Sequence, residues 1–214
     1  MEGFRAELRS WENMWILSKR VAAEIRGSEF SPEYIVAVVR GGMVPAMNLS
    51  DMLDIKDILF LRVEHWGKTA SMDETAEIKT PLIWNFESKD VLLVDDIVDT
   101  GDSMQLASDH VKSLNAGKVK TVALIYKKHS SFRPDFYGEE AEDWRWTIFP
   151  WNLTEDLCNL VDEVSAGAKI DSETLDKEFR KRYKLSLDKD ILGYALTEYG
   201  KRSSGRDHVG EQRP

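Results

Sequence analysis

The chain has a single cysteine, Cys158, among 214 residues. One thiol cannot close an internal disulfide, and it excludes a multi-cysteine metal site. Long hydrophobic runs are lacking too. The longest, such as residues 34–39 and 91–94, have the length of strands, far short of a bilayer span. The opening stretch, MEGFRAELRSWENMW, contains no apolar signal core. These absences set the expectation of a reduced, cytoplasmic compartment and no membrane partner. Basic residues are outnumbered: 29 Lys and Arg face 38 Asp and Glu, for a net charge of −9. Broad binding to DNA or RNA depends on neutralising phosphates, so no nucleic-acid partner is expected. One small phosphorylated ligand is a different matter, because backbone N–H groups and a metal ion can hold it inside an acidic protein. No internal repeat or low-complexity tract appears. His65, His110, His129 and His208 form no metal-ligand spacing and are assigned no chemistry.

What is present is a chain 42% hydrophobic and 31% charged, long enough to bury one core with room for an extension. Residues 10–26 repeat Trp11, Met14, Trp15, Val21, Ala22 and Ile25 at helical spacing, with Ser10 as a cap. Residues 34–40, YIVAVVR, are continuously apolar and rich in branched side chains, as a buried strand is. They run into Gly41-Gly42 and a helix over MVPAMNLSDML. Residues 57–64 give a second strand, and residues 65–80 turn polar and read as a long mobile loop. DVLLVDDI, residues 90–97, is the clearest strand, and the helix after it ends at Gly117. Residues 119–127 and 144–149 read as further strands. Strands alternating with helices imply a parallel α/β sheet. After Pro150, Thr154 is placed to cap a helix, and two charged helical stretches follow, at 172–184 and 187–199. Residues 201–214 are nearly devoid of apolar side chains and are expected to be disordered.

The chemistry concentrates in VLLVDDIVDTGDSM, residues 91–104. An apolar strand carries two adjacent carboxylates, Asp95 and Asp96, toward its C-terminal end. A tight turn through Asp99, Thr100 and Gly101 leads to Asp102, Ser103 and a helix. In an open parallel sheet, ligands bind at the carboxyl ends of strands. The start of the next helix offers unpaired N–H groups and a dipole that favours a phosphate. Gly101 allows close backbone approach, and the Thr100 and Ser103 hydroxyls can add hydrogen bonds. Two carboxylates beside such a cradle suit a sugar diol and a hydrated Mg²⁺. The bland alternative is an ordinary strand–turn–helix with a solvated acidic turn.

This segment resembles the signature of the type I phosphoribosyltransferases for 5-phosphoribosyl-1-pyrophosphate (PRPP): a hydrophobic strand, two acids, a few variable residues, Thr-Gly, any residue, then Thr or Ser. The resemblance implies a parallel, Rossmann-like α/β sheet flanked by helices, with a small hood. It implies that Asp95 and Asp96 face the ribose hydroxyls and the metal, partly through water, and that Asp99, Thr100, Gly101, Asp102 and Ser103 wrap the 5′-phosphate. Asp99 stands where the hypoxanthine–guanine and xanthine–guanine members carry Asp; adenine and orotate members usually have Ala, Thr or Ser. A carboxylate there can hydrogen-bond purine N7 and act as general acid/base when N9 attacks C1′. As a turn residue it could equally satisfy its own backbone.

Other stretches extend the resemblance to the 6-oxopurine branch. Arg40, Gly41 and Gly42 resemble the pyrophosphate loop, though Arg-Gly-Gly after a strand is also a plain turn. Lys127 matches the lysine that donates to the purine 6-oxo oxygen, with Lys128 as the adjacent competitor. In WRWTIFPWN, residues 144–152, Trp146 would stack on the base, the Thr147 backbone would touch the ring edge, and Asn152 would lie near the purine 2-position. Trp144 and Trp151 read as core or interface aromatics. Residues 65–80 match the family's flap in place, with Lys68 and Ser71 within reach of pyrophosphate.

The implied function is purine salvage, with PRPP and a purine base as substrates, Mg²⁺ as cofactor and a homo-oligomer, dimer or tetramer, as the assembly. Two rivals stay open: a PRPP-sensing regulator on the same fold, and a transferase for another base such as uracil or adenine. The expected division is a phosphoribosyltransferase domain at 1–153, a helical C-terminal extension at 154–200, and the tail.

Overall fold

The computed structural model describes residues 4–65 and 76–209, leaving out the side chains of His65 and of residues 205–209. The expected flap residues Lys68 and Ser71, and residues 210–214, lie outside the described residues. The chain opens with a short strand, β1 (Ala6–Leu8), and helix α1 (Trp11–Gly27). Strand β2 (Tyr34–Val39), helix α2 (Met43–Leu53), strands β3 (Asp57–His65) and β4 (Ala76–Thr80), and strand β5 (Val91–Val98) follow. Then come α3 (Asp102–Ser113), β6 (Val119–Lys127), β7 (Phe136–Ala141) and β8 (Trp146–Ile148). Helices α4 (Leu153–Ser165), α5 (Ser172–Tyr183) and α6 (Lys189–Val209) complete it.

The chain forms two compact units, Trp11–Asp143 and Met1–Ser10 together with Trp144–Pro214. The larger holds a six-stranded sheet in the order β4-β3-β2-β5-β6-β7, parallel except for the antiparallel edge strand β4. Both faces are covered, which is why β2 and β5 read as unbroken apolar runs. On one face Val36, Val38, Leu61, Val91 and Leu93 pack with Met104, Ala107 and Val111 of α3. On the other, Ile35, Ala37, Leu92, Val94 and Val122 pack with Val21, Ala22 and Ile25 of α1 and Ala46 and Leu49 of α2. Alternation along each strand sends odd and even residues to opposite sides, so each strand feeds both clusters.

From β2 the chain passes to β3 on one side, then returns to place β5 on the other. The order reverses between β2 and β5, and such a reversal leaves a crevice at the carboxyl ends of the two strands. The register opens it further. β5 pairs with β2 only as far as Ala37 opposite Val94, but with β6 through Val98 opposite Tyr126. Asp95 and Asp96 therefore remain in the ladder on one side and lose it on the other.

The smaller unit pairs β1 with β8 in parallel, Ala6 opposite Trp146 and Leu8 opposite Ile148. Ile148, Leu157, Leu160, Val161, Leu175, Phe179, Leu192 and Ala195 form its buried cluster. Asp171 caps α5 by accepting the Thr174 N–H at 2.8 Å. Burial and the Glu163 carboxylate push the Tyr183 phenol well above its usual range.

Several expectations are corrected here. Of residues 144–149 only Trp146–Ile148 form a strand, and it joins β1 instead of the central sheet, because the N-terminal segment supplies its hydrogen-bonding partner. The polar stretch 65–80 includes β4, whose residues 76–80 gain a ladder from β3 although only every other side chain is half-buried. Strand β7 is an unforeseen edge; its sequence, FYGEEA, has too little apolar character to announce it. Thr154 does not cap α4. Asn152 occupies that position, and the Thr154 hydroxyl meets the Tyr194 hydroxyl at 2.7 Å. Helix α6 is described to Val209, and the Ser203 and Ser204 hydroxyls donate to its own carbonyls. Compactness divides the chain at 143/144, where β8 packs with the C-terminal helices.

Candidate active site

The crevice between β2 and β5 gathers three of the loops singled out by sequence. Gly41 and Gly42 follow β2 directly, with a cis peptide between Val39 and Arg40. A Cβ on Gly41 would sit 2.5 Å from Asp96 Oδ1, and one on Gly42 would sit 2.3 Å from the Val94 carbonyl oxygen. No side chain fits either place, so the two glycines are what lets the β2 turn close onto the acids. Their backbone also opens α2: the Gly42 N–H donates to Val38 O at 2.8 Å, and the Ala46 N–H donates to Gly42 O at 2.9 Å. Arg40, at the head of the turn, is exposed.

Asp95 and Asp96 are both buried, at 9% and 6% exposure. The Asp96 N–H donates to Asp95 Oδ1 at 2.9 Å. Burial, reinforced by the neighbouring Asp96 carboxylate, holds the Asp95 carboxyl well above the usual carboxylate range. Two acids in one buried place are costly unless something positive joins them.

Beyond Val98 the chain turns at Asp99, half-buried, and Thr100, exposed. Gly101 has φ 102°, the left-handed region that a side chain would strain, and a Cβ there would meet Phe132 Cβ at 2.5 Å. Helix α3 then starts with Asp102 and Ser103, and the Gln105 N–H donates to Gly101 O at 2.9 Å. The Thr100 hydroxyl donates to Asp102 Oδ2 at 2.9 Å, so the Asp102 carboxylate is turned outward and occupied. Because Val98 stands opposite Tyr126, Asp99 follows β5 beside Lys127, the last residue of β6, which is still paired with Ala141 of β7. Lys127 is 2% exposed, whereas the Lys128 ammonium reaches Glu142 at 2.7 Å and Glu140 at 3.9 Å. Of the two competing lysines, Lys127 is buried at the end of β6 and Lys128 is engaged with acids at the surface.

Sequence reasoning passed over His129. Its Nε2 lies 2.8 Å from Asp99 Oδ1. No local pattern marks that contact, because the partners are 30 residues apart and meet only through the register of β5 and β6.

Trp146, Thr147 and Asn152 belong to the smaller unit. The half-buried Trp146 ring donates from Nε1 to Asp156 Oδ1 at 3.2 Å and lies 6.2 Å from the Phe4 ring. Thr147 stands opposite Glu7 in the β1–β8 ladder, so its backbone is fixed there. Asn152 makes no side-chain cap bond to α4. Trp151 stacks on Phe149 at 4.9 Å, and Trp144 meets Phe4 edge-on at 5.9 Å, as befits packing aromatics.

The family model for the phosphoribosyl transferase domain matches residues 5–156. The xanthine-guanine phosphoribosyltransferase of Idiomarina loihiensis is 30% identical over 146 residues, 67% of this chain and 85% of that one. The hypoxanthine-guanine phosphoribosyltransferase of Aquifex aeolicus is 31% identical over 131 residues, 58% of this chain and 74% of that one. Among solved structures, the purine phosphoribosyltransferase of Pyrococcus horikoshii superposes with a TM-score of 0.60 at 29% identity, covering 68% of this chain and 93% of that one.

Proposed function

The chain belongs to the phosphoribosyl transferase domain family, and on that premise we propose how its residues divide the work of purine salvage. The protein has the type I phosphoribosyltransferase fold and transfers the phosphoribosyl group of PRPP to N9 of a 6-oxopurine, giving a nucleoside monophosphate and pyrophosphate. The observation that carries the assignment of residues is the crevice, where the Gly41-Gly42 turn closes directly onto the buried Asp96. That is the juxtaposition a pyrophosphorylated sugar needs.

The phosphate loop of Asp99, Thr100, Gly101, Asp102 and Ser103 takes the 5′-phosphate on the first N–H groups of α3. Gly41 and Gly42 give backbone donors to the pyrophosphate, and Arg40 neutralises charge as it departs. Lys127 donates to the 6-oxo oxygen; an ammonium cannot accept from an exocyclic amine, so adenine is disfavoured. As N9 bonds to C1′ and the C1′–oxygen bond to pyrophosphate breaks, Asp99 handles the proton on N7. Trp146 stacks on the base, the Thr147 backbone contacts its edge, and Asn152 reads the 2-position. These three roles rest on the WRWTIFPWN motif and the local geometry of that unit.

Asp95 and Asp96 face the ribose hydroxyls and are the donor set for Mg²⁺. Among the described residues no group of three or more His, Cys, Asp or Glu gathers for a metal. Mg²⁺ binds through one or two carboxylates, with waters and substrate oxygens completing its shell. The raised Asp95 carboxyl is the response of a buried acid pair that a cation would relieve. When bound, the ion supplies electrostatic stabilisation to the leaving pyrophosphate. Among the described residues no helix is long and apolar enough to cross a membrane; the cytoplasm is the proposed location. A homo-oligomer is proposed as the assembly, with the exposed Met43 and Met47 of α2 as apolar surface available to it.

The test is nucleotide formation from PRPP with hypoxanthine, guanine, xanthine, adenine or uracil offered separately. Turnover is expected on one or more oxopurines and is lost with EDTA. Tight PRPP binding with no turnover on any base would overturn the assignment, and turnover on adenine or uracil alone would overturn the base preference.

A further inference from the structure

Asp99 sits on a turn that is held from outside by the segment after β6. Beyond Lys127, the Ser130 N–H donates to Lys127 O at 2.9 Å, curling the chain back toward the phosphate loop. Ser131 then grips Thr100 twice: its N–H and its hydroxyl both donate to the Thr100 carbonyl, at 3.0 and 2.9 Å. Phe132 fills the space where Gly101 has no side chain. Between these anchors, His129 Nε2 meets Asp99 Oδ1 at 2.8 Å. An ionised carboxylate only accepts, so Nε2 carries the hydrogen.

The pair is open to solvent, with side chains 45% and 41% exposed. A contact of that kind adds little to stability. Its consequence is orientation. A carboxylate bonded at one oxygen no longer rotates freely, and the other oxygen is left for a partner. Two nearby charges are engaged elsewhere: Lys128 with Glu142 and Glu140, and Asp102 with the Thr100 hydroxyl. Lys127 and His129 are two residues apart on one anchored strap. The group that reads the 6-oxo oxygen and the group that aims the N7 acid are thus set by the same short segment.

We propose that His129 is a positioning residue for phosphoribosyl transfer, holding Asp99 Oδ1 so that Oδ2 is presented to N7 of the purine. This rests on the reading of Asp99 as the group that handles the purine proton. The loss expected is in turnover instead of PRPP binding, because the 5′-phosphate is held by backbone N–H groups that His129 does not touch.

The experiment compares His129→Ala, His129→Gln, Asp99→Ala and the double variant His129→Ala/Asp99→Ala, with kcat and both KM values measured and folding checked by thermal melting. His129→Ala should lower kcat roughly tenfold, with the KM for PRPP changed by less than about twofold. His129→Gln, whose amide nitrogen can donate at similar reach, should recover activity to within about threefold of the native protein. In the Asp99→Ala background the histidine substitution should add nothing. Native turnover in His129→Ala overturns the proposal. So does failure of Gln to rescue, or a further loss in the double variant. If Asp99→Ala itself keeps native turnover, the reading of Asp99 has failed, which is a separate result from the failure of His129.

Discussion

The two compact units solve opposite problems. The larger one buries groups that a core would normally exclude: Asp95, Asp96 and Lys127 all lie below 10% exposure. It also gives up side chains at Gly41, Gly42 and Gly101 so that backbone can approach closely. The smaller unit does less of this: it buries the Asp156 carboxylate, which accepts from the Trp146 ring, and no lysine among the described residues. Its cluster is built of Leu, Val, Ile, Phe and Tyr, its α5 is capped by Asp171, and its surface carries Glu173–Lys177, Asp176–Arg180 and Glu178–Arg182 pairs one helical turn apart. The contrast teaches where stability was given up. Local rules are bent in both units, but close backbone approach at glycine and a cluster of buried charges occur together in the larger one, the expected pattern where a site is what the breaks are for.

That contrast can be broken by experiment. The largest effect should come from Phe179→Ala, which empties a fully buried position of the smaller unit. A loss of about 3–5 kcal/mol is expected in chemical denaturation, with kcat of the remaining folded protein little changed. A fall in kcat without loss of stability would contradict a purely packing role for Phe179.

Asp99→Ala should do the reverse. Turnover on the preferred oxopurine is expected to drop by roughly a hundredfold or more, with the melting temperature within about 2 °C of native. A variant that unfolds as Phe179→Ala does would make Asp99 a structural residue.

Asp95→Asn should separate stability from activity within one residue. The folded Asp95 carboxyl is raised by burial and by Asp96, so the folded protein holds that proton more tightly than the unfolded chain. Its contribution to stability is full at low pH and is lost as pH rises through the raised value. Asparagine cannot ionise, so the ligand-free variant should melt above the native protein, by a margin larger at pH 8 than at pH 5, while turnover is lost. A margin that shrinks with rising pH would contradict the sign. The smallest effect should come from Glu173→Gln on the solvated face of α5, where the melting temperature should move by no more than about 1 °C. A larger shift would mean that the exposed pairs hold the unit together.

The comparison also explains which features could be read ahead of the structure. β2, β5 and β6 announced themselves because both sheet faces are covered and each strand is therefore continuously apolar. The phosphate loop was legible because its requirements are local: acids at a strand end, Thr-Gly at the turn, a hydroxyl at the helix start. β7 and β4 were not legible, since an edge strand with one covered face needs few apolar residues. β1 was hidden because three residues carry no periodicity, and its pairing with β8 depends on a segment far along the chain.

By itself, then, the sequence determined the alternation of strands and helices that makes a mostly parallel α/β sheet, and it pointed to a phosphate cradle and to the chemical class of the ligand, since each follows from residues adjacent in the chain. Tertiary structure decided what depends on distant partners. It set β2 beside β5 so that Gly41 closes on Asp96, engaged Lys128 elsewhere while burying Lys127, assigned β8 to the smaller unit, and brought His129 to Asp99. Hydrogen bonds and close packing act over a few ångströms of space whatever the separation in sequence, and only the folded register makes those distances short.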